Sequence, residues 1–362
     1  MRLVRITSFA LCVAASVAGS QTQQGTAKAS KPPKDKVADN TTTGRFFEVG
    51  VPLPVTLTTN FGRLRGDKNA ETAPWRPATV TVAGADTAHL AIPARVKTRG
   101  IWRLKNCQYP PIRLNFTSEA VKHTVLHGLD QPKLVSNCRD DDTYEQYVLQ
   151  EFQLYRIYRL LTPASHAVRL LRMTYADSGS NKMLATRYAF IEEEPAELAG
   201  RLQARQSKLK GAGPDDLEPF QSALIGVFEY MIGNTDWGIG GLHNVELYQM
   251  PNGDNWPVVY DFDFSGAVNA RYATVDPKLS VRRVRDRLYR GYCVPKEYYP
   301  RVFDVFNAKK DSIYALYKDS LGKLLKKDIA DETLQYFDDF YKTINNPRSV
   351  KQEIMDACLG RK

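Results

Sequence analysis

Histidine and cysteine are both scarce in this chain, with five of each among 362 residues. No two cysteines form a Cys-x-x-Cys pair and no His-Glu-x-x-His segment occurs, which excludes cysteine-rich zinc sites and the zinc-peptidase helix. There is no Gly-x-Ser-x-Gly elbow for a serine hydrolase, and no Rossmann or Walker glycine pattern. Beyond residue 20 no apolar run approaches the roughly 20 residues a membrane-crossing helix needs. Lysine and arginine are spread out with no basic arm, so nucleic acid is not an expected partner.

What is present starts with an export signal. Arg2 and Arg5 precede a mostly apolar run over residues 6–17, and the small residues Ala18, Gly19 and Ser20 follow. This layout predicts a cleavable signal peptide over residues 1–20, a secreted or periplasmic location, and no membrane span after cleavage. Residues 21–43 are rich in Gln, Thr, Lys, Ala and Pro, the composition of a flexible leader. Cleavage removes two arginines and no acid, lowering the formal charge from +10 to +8, a balance suited to an anionic ligand or partner. A hydrophobic fraction of 43% is enough for a sizeable core. Cys107, Cys138, Cys293 and Cys358 remain, an even set that in an exported chain favours disulfides. Three pairings are open, of which Cys107 with Cys138 and Cys293 with Cys358 would staple each half locally.

The hydrophobic pattern changes along the chain. Residues 51–59, 78–82, 90–96 and 111–116 alternate as strands, and the segment Phe61-Gly-Arg-Leu-Arg-Gly66 between them reads as a hairpin tip. Residues 144–161 have helical spacing and stop at Pro163. Asp140, Asp141 and Asp142 stand where acids favour a helix start. A hairpin over 168–192, a helix over 220–232 and short strands at 245–248 and 257–260 follow. Helical patterns at 298–321, 329–344 and 349–358 complete the chain. The order predicts an α+β protein with a sheet-rich N-lobe over 44–194 and a helix-rich C-lobe over 195–362, with a cleft between them.

The chemistry concentrates between residues 234 and 263. A helix ends near Ile232, and a polar loop then carries Asn234, Asp236, His243 and Asn244. The strand after it closes on Asp261 and Asp263, which in an extended chain would point the same way and repel unless a cation sits between them. Oxygen donors of this kind suit Mg²⁺ or Mn²⁺, and Mg²⁺ is the usual companion of a triphosphate. Phosphoryl transfer needs one aspartate to orient a hydroxyl and an Asn and an Asp to hold metal, and Asp236, Asn244 and Asp261 supply that order.

Asp236 with His243-Asn244 and Tyr260-Asp261-Phe262-Asp263 resembles the catalytic and metal-binding segments of atypical protein kinases, especially the spore-coat-protein-H kinase family. The stretches Arg95 to Lys105 and Pro110 to Phe116 resemble that family's Arg-Gly-Asn-Ser segment and the strand after it. Pro132-Lys133 and the helix holding Glu151 resemble the lysine strand and glutamate helix of a kinase N-lobe. The resemblance, over roughly residues 90–270, implies a two-lobed atypical protein-kinase-like fold. It further implies that Asp236 is the catalytic aspartate, Asn244 and Asp261 hold the metal with Asp263 beside them, and Lys133, braced by Glu151, touches the phosphates. Arg99, inside a basic cluster that includes Arg103 and Arg113, is a second phosphate candidate. Trp237 stands where the family scheme has a basic residue, and Gly238, Gly240 and Gly241 lengthen the gap to Asn244.

The function these features imply is transfer of the γ-phosphoryl group of ATP to a hydroxyl, on a protein acceptor, with Mg or Mn. Two other classes use the same residues. One is a catalytically inactive kinase-like module that binds or builds an envelope or coat. The other is a metal-dependent phosphohydrolase or nucleotidyl transferase.

Overall fold

The computed structural model describes residues 45–48, 50–83 and 89–360. The expected signal peptide and the expected leader over residues 21–43 lie outside these residues. The architecture is mixed α+β, a closed seven-stranded barrel followed by a helix-rich region.

The barrel strands are β1 (Leu53–Thr59), β2 (Arg76–Ala83), β3 (His89–Thr98), β4 (Ile112–Asn115), β5 (Lys133–Val135), β6 (Val168–Asp177) and β7 (Lys182–Glu192). Their order around the barrel is β1-β2-β3-β4-β5-β7-β6. Every pairing is antiparallel except the closing one, where β1 runs parallel to β6 with Leu57 opposite Tyr175. Alternation makes closure favourable. In β1, Leu53, Val55, Leu57 and Thr59 are buried while the residues between them are not. Leu57, Val80, Val96, Leu114, Leu134 and Ile191 meet inside, each burying a side chain worth about 1.5–3 kcal/mol. The Phe61–Gly66 segment is a short helix rather than a hairpin tip, because the Asn60 side chain accepts from Arg63 N–H and caps it, and Phe61 and Leu64 turn into the core.

Two long helices bracket the second half of the site. Helix α1 (Asp142–Leu161) starts where the Asp141 side chain accepts from Thr143 N–H, the capping role expected of the acidic run. Tyr155 and Phe152 of α1 pack on Phe190 of β7, which fixes α1 against the barrel. Helix α2 (Pro219–Ile232) is buried over most of its length and ends at Gly233, whose φ of 66° is the left-handed cap that glycine favours. A three-stranded sheet joins β8 (Arg205–Ser207), which precedes α2, to β9 (Val245–Gln249) and β10 (Asn255–Val259), which follow it, in the order β10-β9-β8. Helices α3 (Tyr298–Ala315) and α4 (Lys327–Ile344) close the core. Helix α3 stops six residues before the sequence pattern does, and the expected last helix is a π-helical turn at Val350–Met355.

The disulfides are Cys107–Cys138 and Cys293–Cys358, the local pairing preferred from the spacing.

Candidate functional site

A cleft of about 470 Å³ lies among the barrel, α1 and the loops around β9 and β10. That size is within the range of small-molecule sites. Asp236, Asn244, Asp261, Asp263, Lys133, Glu151 and Arg99 all line it, although they come from five separate stretches of chain. Arg113 does not. Its guanidinium donates to the Gln131 carbonyl at 3.3 Å, and it lies outside the cleft lining.

The loop after α2 is held from within. Asp236 N–H donates to Asn234 Oδ1 at 2.9 Å, and Gly238 and His243 exchange backbone hydrogen bonds at 2.9 and 3.0 Å. The glycines that lengthen this loop therefore close a tight ring, which returns Asn244 to Asp236. Asn244 Nδ2 donates to the Asp236 carbonyl at 2.7 Å and lies 3.3 Å from its Oδ2. That leaves the amide oxygen as the Asn244 atom that could face a cation. His243 Nε2 is 2.8 Å from Asp236 Oδ1. Trp237 is buried in the core beneath the loop, so its position holds an apolar anchor in place of a basic side chain.

Asp261 departs from the extended chain the sequence suggested. Strand β10 ends at Val259, and Asp261 has φ of 65° while its N–H donates to Tyr155 Oη at 2.9 Å. Left-handed backbone at a non-glycine costs roughly 1–2 kcal/mol. It recurs here at Leu242 (φ 51°), Asn244 (φ 52°) and Asp261, a concentration typical of functional loops. The two loops are joined by Tyr260 N–H to Asn244 O at 3.1 Å and Gly266 N–H to Gly233 O at 3.0 Å.

Three carboxylates crowd the inner end of the cleft. Burial, then Asp263 and Asp261, push the Glu151 carboxyl well above the usual carboxylate range. Burial and Asp261 push Asp263 up to about 7, opposed by Arg103 and by the Tyr272 hydroxyl, which donates to Asp263 at 3.0 Å. Arg103 Nη1 is 3.9 Å from Asp263, and its other terminal nitrogen donates to the Ser136 carbonyl. One guanidinium stands among these three acids, and Asp261, Asp263 and the Asn244 oxygen are the hard oxygen donors that could hold a divalent cation. Among the described residues, no three His, Cys, Asp or Glu side chains stand together as a ready ligand set.

The outer end is basic. Lys133 Nζ pairs with Glu192 Oε1 at 2.8 Å and sits 4.4 Å from the centre of the Tyr260 ring. The expected brace, Glu151, does not contact it. The ladder register decides this, because Lys133 on β5 stands opposite Glu192 on β7. Arg99 follows β3 at a turn where Gly100 has φ of 75°, and among the described residues its buried Nε has no hydrogen-bond partner. A lysine and an arginine with such a free donor suit phosphate oxygens.

Four participants were not singled out from sequence. Arg103 stood in the basic cluster but carried no distinguishing mark. Glu192, Tyr155 and Tyr272 reach the site only through strand register, helix packing and loop return, none of which leaves a local pattern.

No protein-family model matches the chain, and no curated protein sequence matches it.

Proposed function

We propose that this protein is a kinase-like phosphotransferase of the spore-coat-protein-H type, exported from the cell, that moves the γ-phosphoryl group of ATP to a hydroxyl on a protein. The observation that carries the reading is the meeting of Asp236, Asn244, Asp261 and Lys133 in one cleft.

In this reading Asp236, half exposed at the cleft, accepts the proton as the acceptor oxygen bonds to the γ-phosphorus and the bond to the β-phosphate oxygen breaks, releasing ADP. Asn244 and His243 hold the Asp236 carboxylate in place. Lys133 and Arg99 bind phosphate oxygens. Asp261, Asp263 and the Asn244 oxygen would hold Mg²⁺ or Mn²⁺, which when bound supplies neutralisation of the phosphate charge. Removal of one such group lowers the rate on the order of 10²-fold or more.

The test is intact-mass analysis of the mature, disulfide-bonded protein with ATP and Mg²⁺ or Mn²⁺, with and without acceptor proteins, beside D236N. A phosphate gain that D236N abolishes supports the reading. A gain of the nucleotide mass moves it to nucleotidyl transfer. No gain, in a folded protein, leaves the binding module. Arg103 favours that second reading, since a buried guanidinium beside Asp263 already supplies a cation there.

A further inference from the structure

Residues 271–290 contain seven lysines and arginines against two aspartates. This net excess lies in a stretch that forms neither helix nor strand. Both ends are fastened at the candidate site. At one end Arg271 N–H donates to Tyr147 Oη at 3.3 Å and the Tyr272 hydroxyl donates to Asp263. At the other, the Arg290 guanidinium donates to the carbonyl of Thr235, the residue before Asp236. The middle is pinned as well. The Arg287 guanidinium donates to the Tyr230, Met231 and Tyr336 carbonyls, and Gly266 packs so closely on Val284 and Arg285 that a side chain there would collide with their backbone.

The cations of this arc divide into two kinds. Arg287 and Arg290 turn inward and hold the loop. Arg271, Lys278 and Arg282 are exposed, and the Arg282 guanidinium donates to the Leu279 carbonyl at 2.9 Å. The other two are offset, Arg283 by Asp286 at 2.7 Å and Arg285 by Glu332 at 3.7 Å. An exposed cationic arc that starts beside Asp263 and ends beside Asp236 lies where an acceptor must approach. Its two aromatic residues are not available to stack on bases, because Tyr272 packs between Trp102 and Tyr144 and Tyr289 is fully buried. Binding to single-stranded nucleic acid relies on such free rings.

We propose that residues 271–290 are the docking surface for an acidic polypeptide, whose aspartate and glutamate side chains meet Arg271, Lys278 and Arg282 while its hydroxyl residue reaches Asp236. This rests on the phosphotransferase reading for the hydroxyl, but the docking itself does not need catalysis.

The experiment measures fluorescence anisotropy of a labelled glutamate-rich peptide with a central serine, against its lysine-rich counterpart, on the full disulfide-bonded chain without ATP. The acidic peptide binds, weakens with added salt, and binds roughly tenfold more weakly to K278E/R282E, while the basic peptide does not bind. K278Q/R282Q gives an intermediate loss, and both variants keep the native circular dichroism and the native affinity for a fluorescent ATP analogue. Equal affinity for the two peptides, or an unchanged affinity in K278E/R282E, overturns the proposal. Tighter binding of a single-stranded oligonucleotide of equal charge also overturns it and assigns the surface to nucleic acid. Charge-selective peptide binding supports the surface, and if ATP and Mg²⁺ are then added to the same mixture, failure to phosphorylate the serine counts against the reading of the cleft alone.

Discussion

The ammonium of Lys133 and the carboxylate of Glu192 face each other across the β5–β7 ladder at 2.8 Å, while Glu151 lies apart among the aspartates. The two glutamates therefore respond differently to substitution. E192A leaves Lys133 without its partner in a largely buried site and lowers stability by about 3 kcal/mol, with weaker nucleotide binding. E151Q replaces a carboxyl whose ionised form burial and its acidic neighbours disfavour, so it costs less stability than E192A. Urea denaturation of both variants checks this. A large loss in E151Q would return the brace to Glu151.

Asp261 combines a left-handed backbone with a charge that raises Asp263, so two substitutions separate the effects. D261N keeps a residue type that tolerates positive φ and relieves repulsion, so stability holds or rises. D261A loses about 1 kcal/mol to backbone strain. Both lose affinity for Mg²⁺–nucleotide in calorimetric titration. Parent-like affinity in either variant removes Asp261 from the metal site.

The disulfide Cys107–Cys138 joins the end of the turn that carries Arg99 and Arg103 to the exit of β5, whereas Cys293–Cys358 ties the C-terminal tail to the end of the basic loop. With the cysteines 31 and 65 positions apart in sequence, loop-closure entropy assigns each disulfide roughly 4 kcal/mol. C107S/C138S and C293S/C358S both melt lower in calorimetry, but only the first weakens nucleotide binding at a temperature where both are folded.

His166, buried between α1 and β6, donates from Nδ1 to the Glu193 carbonyl at 2.9 Å and holds Nε2 3.3 Å from Glu246. Glu192 stands 4.0 Å from it and Lys133 is a further neighbouring charge. Burial opposes its charge, but Glu246 and Glu192 outweigh burial and raise it above 6.5. A raised histidine contributes stability that is fully present below the unfolded value near 6.5 and is lost as pH rises through the folded value. The stability difference between the parent and H166Q is therefore widest near pH 6 and narrows at alkaline pH. A pH-independent difference would mean that folding does not shift His166, and one that widens with rising pH would mean that burial keeps it neutral. Glu246, driven down to about 2 against the opposing effect of burial by its contact with His166, is the matching half of the pair.

Much of the fold is legible locally. Alternation in β1 and helical spacing in α1 and α2 report directly which face meets a core, because periodicity and burial share one cause. The polar loop with Asp236 and Asn244, and the acids at 261 and 263, could be singled out because chemistry-bearing residues are dense there. Closure of the barrel could not be read, since a parallel β1–β6 contact joins segments more than a hundred residues apart and leaves no turn between them.

The sequence by itself determined the type of most elements, the acidic and amide residues of the site and the even cysteine set, all of which depend on near neighbours or composition. Only the tertiary structure decided that Lys133 pairs with Glu192, that Arg103 and Tyr272 reach Asp263, that Arg113 stays outside, and that the arginines after Asp263 return to Asp236. These outcomes depend on strand register and on loop paths fixed by long-range hydrogen bonds, and a one-residue slip of β5 against β7 would have reassigned the lysine's partner.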